Sequence, residues 1–220
     1  YQEGAIGRLM AVELRMVTTQ VQFRNPGHWL FRREVCGGGI LSWLGCHWFD
    51  MVRYVTGDDY ASVSAQLATL SGEPIDVEDT AAVSFRLTSG AVGSMHAGYL
   101  LATGKPGYRA GGYDIALHMR GSHGAVSYRR GEREEPLALE TVAPGWAAAS
   151  PRTYDFALPP SPGYGGRHGL DFVRDWLGAG PADQTPAGAE DTLRLLELLD
   201  AIYEAGASGR TVEVTRHYVP

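Results

Sequence analysis

A chain of 220 residues with 44% hydrophobic and 20% charged side chains carries enough apolar material for a buried core and too little charge for a disordered segment. Its formal charge of −6 excludes a nucleic-acid surface, which needs clustered Lys and Arg; here Arg129, Arg130 and Arg133 are interleaved with Glu132, Glu134 and Glu135. No apolar run approaches the roughly 20 residues that span a bilayer, and no charged-then-apolar leader is visible, so a cytoplasmic protein with no membrane contact is expected.

Residues 9–19, LMAVELRMVTT, mix alternation with β-branched residues and predict a strand. An aromatic and basic connector, QFRNPGHWLFRREVC, leads to three glycines and a helix ending near Thr56, with Gly57 as its C-terminal cap. Strands are then predicted over 61–70 and 80–88, and a Ser89-Gly90 turn joins the second to 91–102. A second hairpin follows, 113–120 and 125–130, joined through GSHG. Residues 131–166 are rich in Pro, Gly, Ala and Glu without a period and read as an irregular excursion.

Two helices close the chain. The first, 166–178, sets Leu170, Val173 and Leu177 on one face. The second, amphipathic over 191–205, is expected to start at Thr185 as N-cap and Pro186 as first position, with Glu190 and Asp191 in its early turns. A short strand, RTVEVT, ends the order. Strands in runs followed by helices predict an α+β domain over 1–220, its sheet largely antiparallel and its helices on one face. The βαβαβ alternation of a dinucleotide-binding domain is absent. Ser62, Ser64, Ala82, Ser84, Gly93 and Ala97 alternate with larger apolar residues, a small-residue face suited either to a second copy, giving a homo-oligomer, or to water.

The glycine-rich stretch GGGILSWLGCHWFD, 37–50, lacks both the GxGxxG spacing of a dinucleotide turn and the Lys-Ser/Thr ending of a P-loop. On a wheel of about 100° per residue, Trp43, His47, Asp50 and Tyr54 fall within a stripe about 60° wide. Ile40, Leu41, Leu44, Trp48, Met51 and Val55 occupy the adjoining arc, which is expected to be the buried face. The His47–Asp50 pair therefore sits on the shoulder between core and solvent, where it either lines a pocket or serves as a hydrogen-bonded helix edge. Two ligands at i and i+3 fall short of the three a catalytic zinc takes, so no metal is expected. Cys36 and Cys46, ten apart, form neither a CxxC nor a zinc pattern and read as reduced thiols.

G-G-G-I-L-x-x-x-G-C-H-x-x-D-M-V-R-Y-V-T-G at 37–57 resembles the active-site helix of the glucose-fructose oxidoreductase/inositol dehydrogenase/MocA family. EGAIGRL at 3–9, DVEDTAAVSFRLTSGAVGSMHAGY at 76–99 and the closing SGRTVEV resemble that family's first strand after the nucleotide domain, its central hairpin and its C-terminal closure. The resemblance implies the second, substrate-binding and oligomerisation domain of an NAD- or NADP-dependent oxidoreductase acting on a sugar, cyclitol or related polyol. The Rossmann domain is not in this chain, so no cofactor is expected on the chain alone; its opening on Tyr1 rather than Met suits a piece of something longer.

The resemblance makes His47 the acid/base on the substrate hydroxyl and Asp50 the residue that orients it. Oxidising an alcohol by hydride loss also releases the O–H proton, which an imidazole is suited to take. Where the family commonly has Asp, this chain has Trp43, a face on which a sugar ring can stack. Gly37 and Gly38 are expected where backbone passes close to cofactor or substrate. His168, Arg15 and His28, with Arg24, are further candidates at the pocket mouth, each equally suited to a surface role. Two other readings stay open: a free-standing or catalytically inactive sugar-binding module, favoured by Trp43, and an unrelated α+β hydrolase or isomerase using a His47–Asp50 dyad.

Overall fold

The computed structural model describes residues 1–102, 112–130, 135–156, 167–178 and 188–216, with backbone alone at 149, 167, 168 and 175. Among the described residues nine strands form one sheet: β1 (Leu9–Thr19), β2 (Tyr60–Ala68), β3 (Thr80–Leu87), β4 (Val92–Leu101), β5 (Tyr113–Gly121), β6 (Gly124–Arg130), β7 (Leu137–Thr141), β8 (Arg152–Tyr154) and β9 (Val212–Glu213). Their spatial order is β8-β7-β6-β5-β1-β4-β3-β2-β9. β1 and β4 run parallel, and every other neighbouring pair is antiparallel. The α+β class expected from the chain order is therefore the observed one.

The helices are α1 (Arg33–Cys36, a single turn), α2 (Cys46–Thr56), α3 (Arg167–Trp176) and α4 (Ala189–Ser208). A π turn over Leu41–Gly45 leads directly into α2, and Gly57 closes α2 in the left-handed region at φ 69°. α2 and α4 pack on each other, and α4 lies over β2. Phe49 stands edge-on to Tyr60 and Phe85, at 5.6 and 6.1 Å between ring centres, and these three rings join α2 to the sheet. Burying three aromatic side chains contributes several kcal/mol, more than helix propensity supplies over this length.

Four expectations are corrected. Residues 131–166 are not wholly irregular: β7 and β8 lie within them, too short and too weakly alternating to stand out beside Pro136 and Pro151. α4 begins at Ala189, with the Gly188 N–H donating to Asp191 Oδ2 at 2.9 Å; Thr185 and Pro186 lie outside the described residues. Gly93 and Ala97 belong to the helix-facing side of the sheet, because the odd residues of β4 point inward; a Cβ on Gly93 would press within 2.3 Å of the Phe85 ring. The buried arc of α2 is centred on Phe49 and Val52, both fully buried, while Met51 is exposed. The π turn winds more slowly than 100° per residue, so residues on either side of it fall out of phase on an ideal wheel.

The other face of the sheet carries a continuous cross-strand row, Ser64–Ser84–Ser94–Glu13–His118–Ser127–Ala138–Thr153. Burial of the His118 imidazole lowers its pKa, Arg120 adds to this, and Glu13 directly opposite works against it. Leu170 and Val173 of α3, and Leu177 just past its end, are all exposed. Among the described residues no helix is long and apolar enough to cross a membrane.

Candidate active-site helix

The glycine turn is filled by the chain's own carboxylate. Glu78, buried in the connection ahead of β3, accepts from the Gly39 N–H at 2.8 Å and the Leu41 N–H at 3.1 Å, and its backbone carbonyl accepts from the Ile40 N–H at 3.1 Å. Three successive donors at the start of the helical segment are thereby satisfied, and a negative charge sits at the positive end of its dipole. The Tyr203 hydroxyl of α4 donates to Glu78 Oε1 at 2.9 Å and lies 2.8 Å from Ser42 Oγ. Burial and the neighbouring Glu78 charge raise the Tyr203 pKa, which keeps the hydroxyl a donor.

This packing accounts for the glycines. A Cβ on Gly38 would stand 1.8 Å from the Tyr203 hydroxyl, and one on Gly39 would stand 1.9 Å from the Glu78 carbonyl oxygen. Gly37 meets nothing within 4 Å but takes φ 77°, a conformation that favours glycine. The N–H groups that could greet a pyrophosphate already donate to Glu78, so the residues of this turn do not fit a dinucleotide phosphate. The close approach expected of Gly37 and Gly38 toward a cofactor is thus, at Gly38, an approach to Tyr203.

From this anchored start α2 presents an outward stripe. His47 is exposed, and Tyr54, two turns further on, is 75% exposed. Asp50 does not hydrogen-bond His47; among the described residues its ion pair is with Arg53, at 3.7 Å. Arg53 also meets Asp59 at 2.8 Å and Asp191 at 3.5 Å, which ties the outer face of α2 to the start of α4. A cavity of about 930 Å³ opens beside this stripe, with Asp50, Arg53, Tyr54, Leu139, Trp146 and Tyr154 among its lining residues. On the inner side, burial pushes the Cys46 thiol pKa up to about 11, and its S–H donates to the Ser42 carbonyl at 3.2 Å.

Trp43 lies in the π turn just before His47 and packs edge-on against Trp29, 5.7 Å between centres at 89°. Trp29 in turn neighbours the His28 ring at 5.5 Å. The structure thus brings Trp43 and His28 together through an indole that has no periodic signal in the sequence. Arg15 is not with them: it alternates with the inward Leu14 and Met16, points to the open face and pairs with Asp114 at 2.9 Å. Arg24 is held by Thr18 Oγ1 at 2.9 Å and lies over the Tyr99 ring. The backbone of His168 opens α3, while its side chain lies outside the described residues. Among the described residues no three His, Cys, Asp or Glu side chains gather as a metal site.

Glu78, Tyr203 and Trp29 are the residues that sequence reasoning passes over. The acid of Glu78 is visible in DVEDTAAV, but no local spacing ties it to Gly39, 39 residues away.

The inositol 2-dehydrogenase of Rhizobium meliloti (strain 1021) is 29% identical over 159 residues, covering 69% of this chain and 42% of that protein. A levoglucosan dehydrogenase in complex with NADH and levoglucosan superposes with a TM-score of 0.74 at 26% identity, covering 98% of this chain and 61% of that one. An NAD binding oxidoreductase from Klebsiella pneumoniae, at 19% identity and a TM-score of 0.76 over 98% of this chain, shares the fold. The chain therefore spans less than two thirds of the length of these relatives. The GFO/IDH/MocA C-terminal domain family matches residues 1–127, more than half the chain, and the protein belongs to that family.

Proposed function

We propose that this chain is the substrate-binding and oligomerisation domain of an NAD- or NADP-dependent oxidoreductase acting on a sugar, cyclitol or related polyol, with His47 as the acid/base. The observation that carries this reading is His47 standing exposed on a helix whose start is locked to Glu78 and whose inner face is locked to Tyr60 and Phe85. A rigid carrier with one outward imidazole is what proton transfer from a bound hydroxyl requires. The relatives named above, an inositol dehydrogenase and a levoglucosan dehydrogenase seen with NADH, support the substrate class and the cofactor.

When a nucleotide-binding domain brings it, the nicotinamide supplies the hydride acceptor; this chain's share is the proton. The imidazole of His47 takes the proton of the hydroxyl whose carbon is oxidised, and gives it back in the reverse direction. Asp50 is engaged with Arg53 rather than bonded to the imidazole, so its share is to fix the outer face of the helix through that ion pair. The small-residue face of the sheet is the surface proposed for self-association.

A second reading has its own support. Trp43 stands where the family commonly carries Asp and packs on Trp29, which suits a sugar-binding module without turnover. The two readings separate by assaying nicotinamide reduction with levoglucosan and inositol on the protein as its own cell makes it. Reduction that collapses in His47→Ala supports the dehydrogenase; sugar binding without reduction supports the module.

A further inference from the structure

Trp29 is the oddity of the connector. Its 3₁₀ turn, Trp29–Phe31, buries Leu30 and Phe31 almost completely yet leaves the indole 47% exposed. A single exposed aromatic is ordinary; what matters is whether other rings adjoin it. It is not isolated: the Trp43 ring stands perpendicular to it at 5.7 Å, and the His28 ring lies tilted by 35° at 5.5 Å. Two perpendicular indoles form a corner, and an imidazole borders it.

The His28 ring has a defined orientation. Its Nδ1 accepts the Leu30 N–H at 3.4 Å, so in the neutral ring the proton is on Nε2, on the side away from that backbone. The corner thus combines apolar ring faces with a hydroxyl-matching donor at its rim. Trp43 precedes His47 by four residues along one continuous helical segment, about one turn, which puts the corner and the imidazole on neighbouring turns.

We infer that His28, Trp29 and Trp43 form an aromatic shelf that binds the C–H face of a ring sugar and selects cyclic over open-chain polyols. This rests on the proposed sugar-oxidoreductase reading and specifies its substrate. A ring sugar presents a rigid patch of C–H bonds, polarised toward the negative face of an indole, while its hydroxyls project from the rim toward His28 and His47. An open-chain polyol has no such patch and loses more rotational freedom on binding. None of the three shelf side chains is a carboxylate or an ammonium, which suits an uncharged sugar.

The test is a titration of the chain with levoglucosan, methyl β-D-glucopyranoside and mannitol, followed by the indole N–H signals of its five tryptophans. The two ring compounds should move the Trp29 and Trp43 signals and leave Trp48, Trp146 and Trp176 in place, and mannitol should bind more weakly. Trp29→Ala should weaken ring-sugar binding about 10-fold, and Trp29→Phe should restore most of it. In His47→Ala the shelf signals should still respond although any oxidation is lost. Ring sugars that bind without moving either indole, or equally well to Trp29→Ala, overturn the shelf and leave the His47 reading standing. Failure of both ring sugars to bind also overturns the shelf, and the oxidation assay on His47→Ala then decides the wider reading by itself.

Discussion

The Tyr203 hydroxyl donates to the Glu78 carboxylate at 2.9 Å, and through that contact the C-terminal helix holds the start of the helix that carries His47. Glu78 is the common partner of Gly39, Leu41 and Tyr203, so removing it leaves several buried donors unmet. Tyr203→Phe should cost about 1–2 kcal/mol, and Glu78→Ala about 3 kcal/mol or more. Gly38→Ala, whose Cβ would meet the Tyr203 hydroxyl, should cost about 1–3 kcal/mol. Urea midpoints of the three variants check the order; equal stability of Glu78→Ala and the native chain contradicts it.

Cys46 lies under the same helix, and burial raises its thiol pKa to about 11 from 9.0. Both states hold the thiol proton below pH 9.0; between 9.0 and about 11 only the unfolded chain releases it, so stability falls as pH rises through that window. Replacing Cys46 with Ala should flatten this alkaline decline. Cys46 should also resist a thiol reagent at neutral pH until the protein unfolds, a difference read by mass after a short labelling pulse.

On the opposite face His118 titrates the other way. Burial and Arg120, with Arg129, lower its pKa from 6.5, against the pull of Glu13 and Glu140. The unfolded chain therefore takes up the proton first as pH falls, and stability is lost below 6.5 while being complete above it. Denaturant midpoints compared at about pH 7.5 and about pH 5 should differ less for His118→Gln than for the native chain. An equal difference in both would remove His118 from the acid response.

Strand positions were legible because alternation is a local property: β1 lies at residues 9–19 as the pattern predicts, and β3 falls within one residue of its expected span. The helix stripe of His47, Asp50 and Tyr54 was legible for the same reason. Contacts between distant segments were not. Glu78 reaches Gly39 from 39 positions away, and no periodicity records that meeting. The π turn escaped because an ideal wheel assumes constant winding, and this misplaced Met51 as buried. Nearness in sequence to the glycines makes Arg15 a candidate for the pocket mouth, whereas its strand parity sends it to the open face of the sheet, where it pairs with Asp114.

The central claim is that His47 moves the substrate proton. The most direct measurement is the rate of nicotinamide reduction with levoglucosan or inositol, by the protein as its own cell makes it, against its His47→Ala variant. The account predicts a fall of about 10²- to 10⁴-fold with the fold intact. A variant that turns over at the native rate would contradict it.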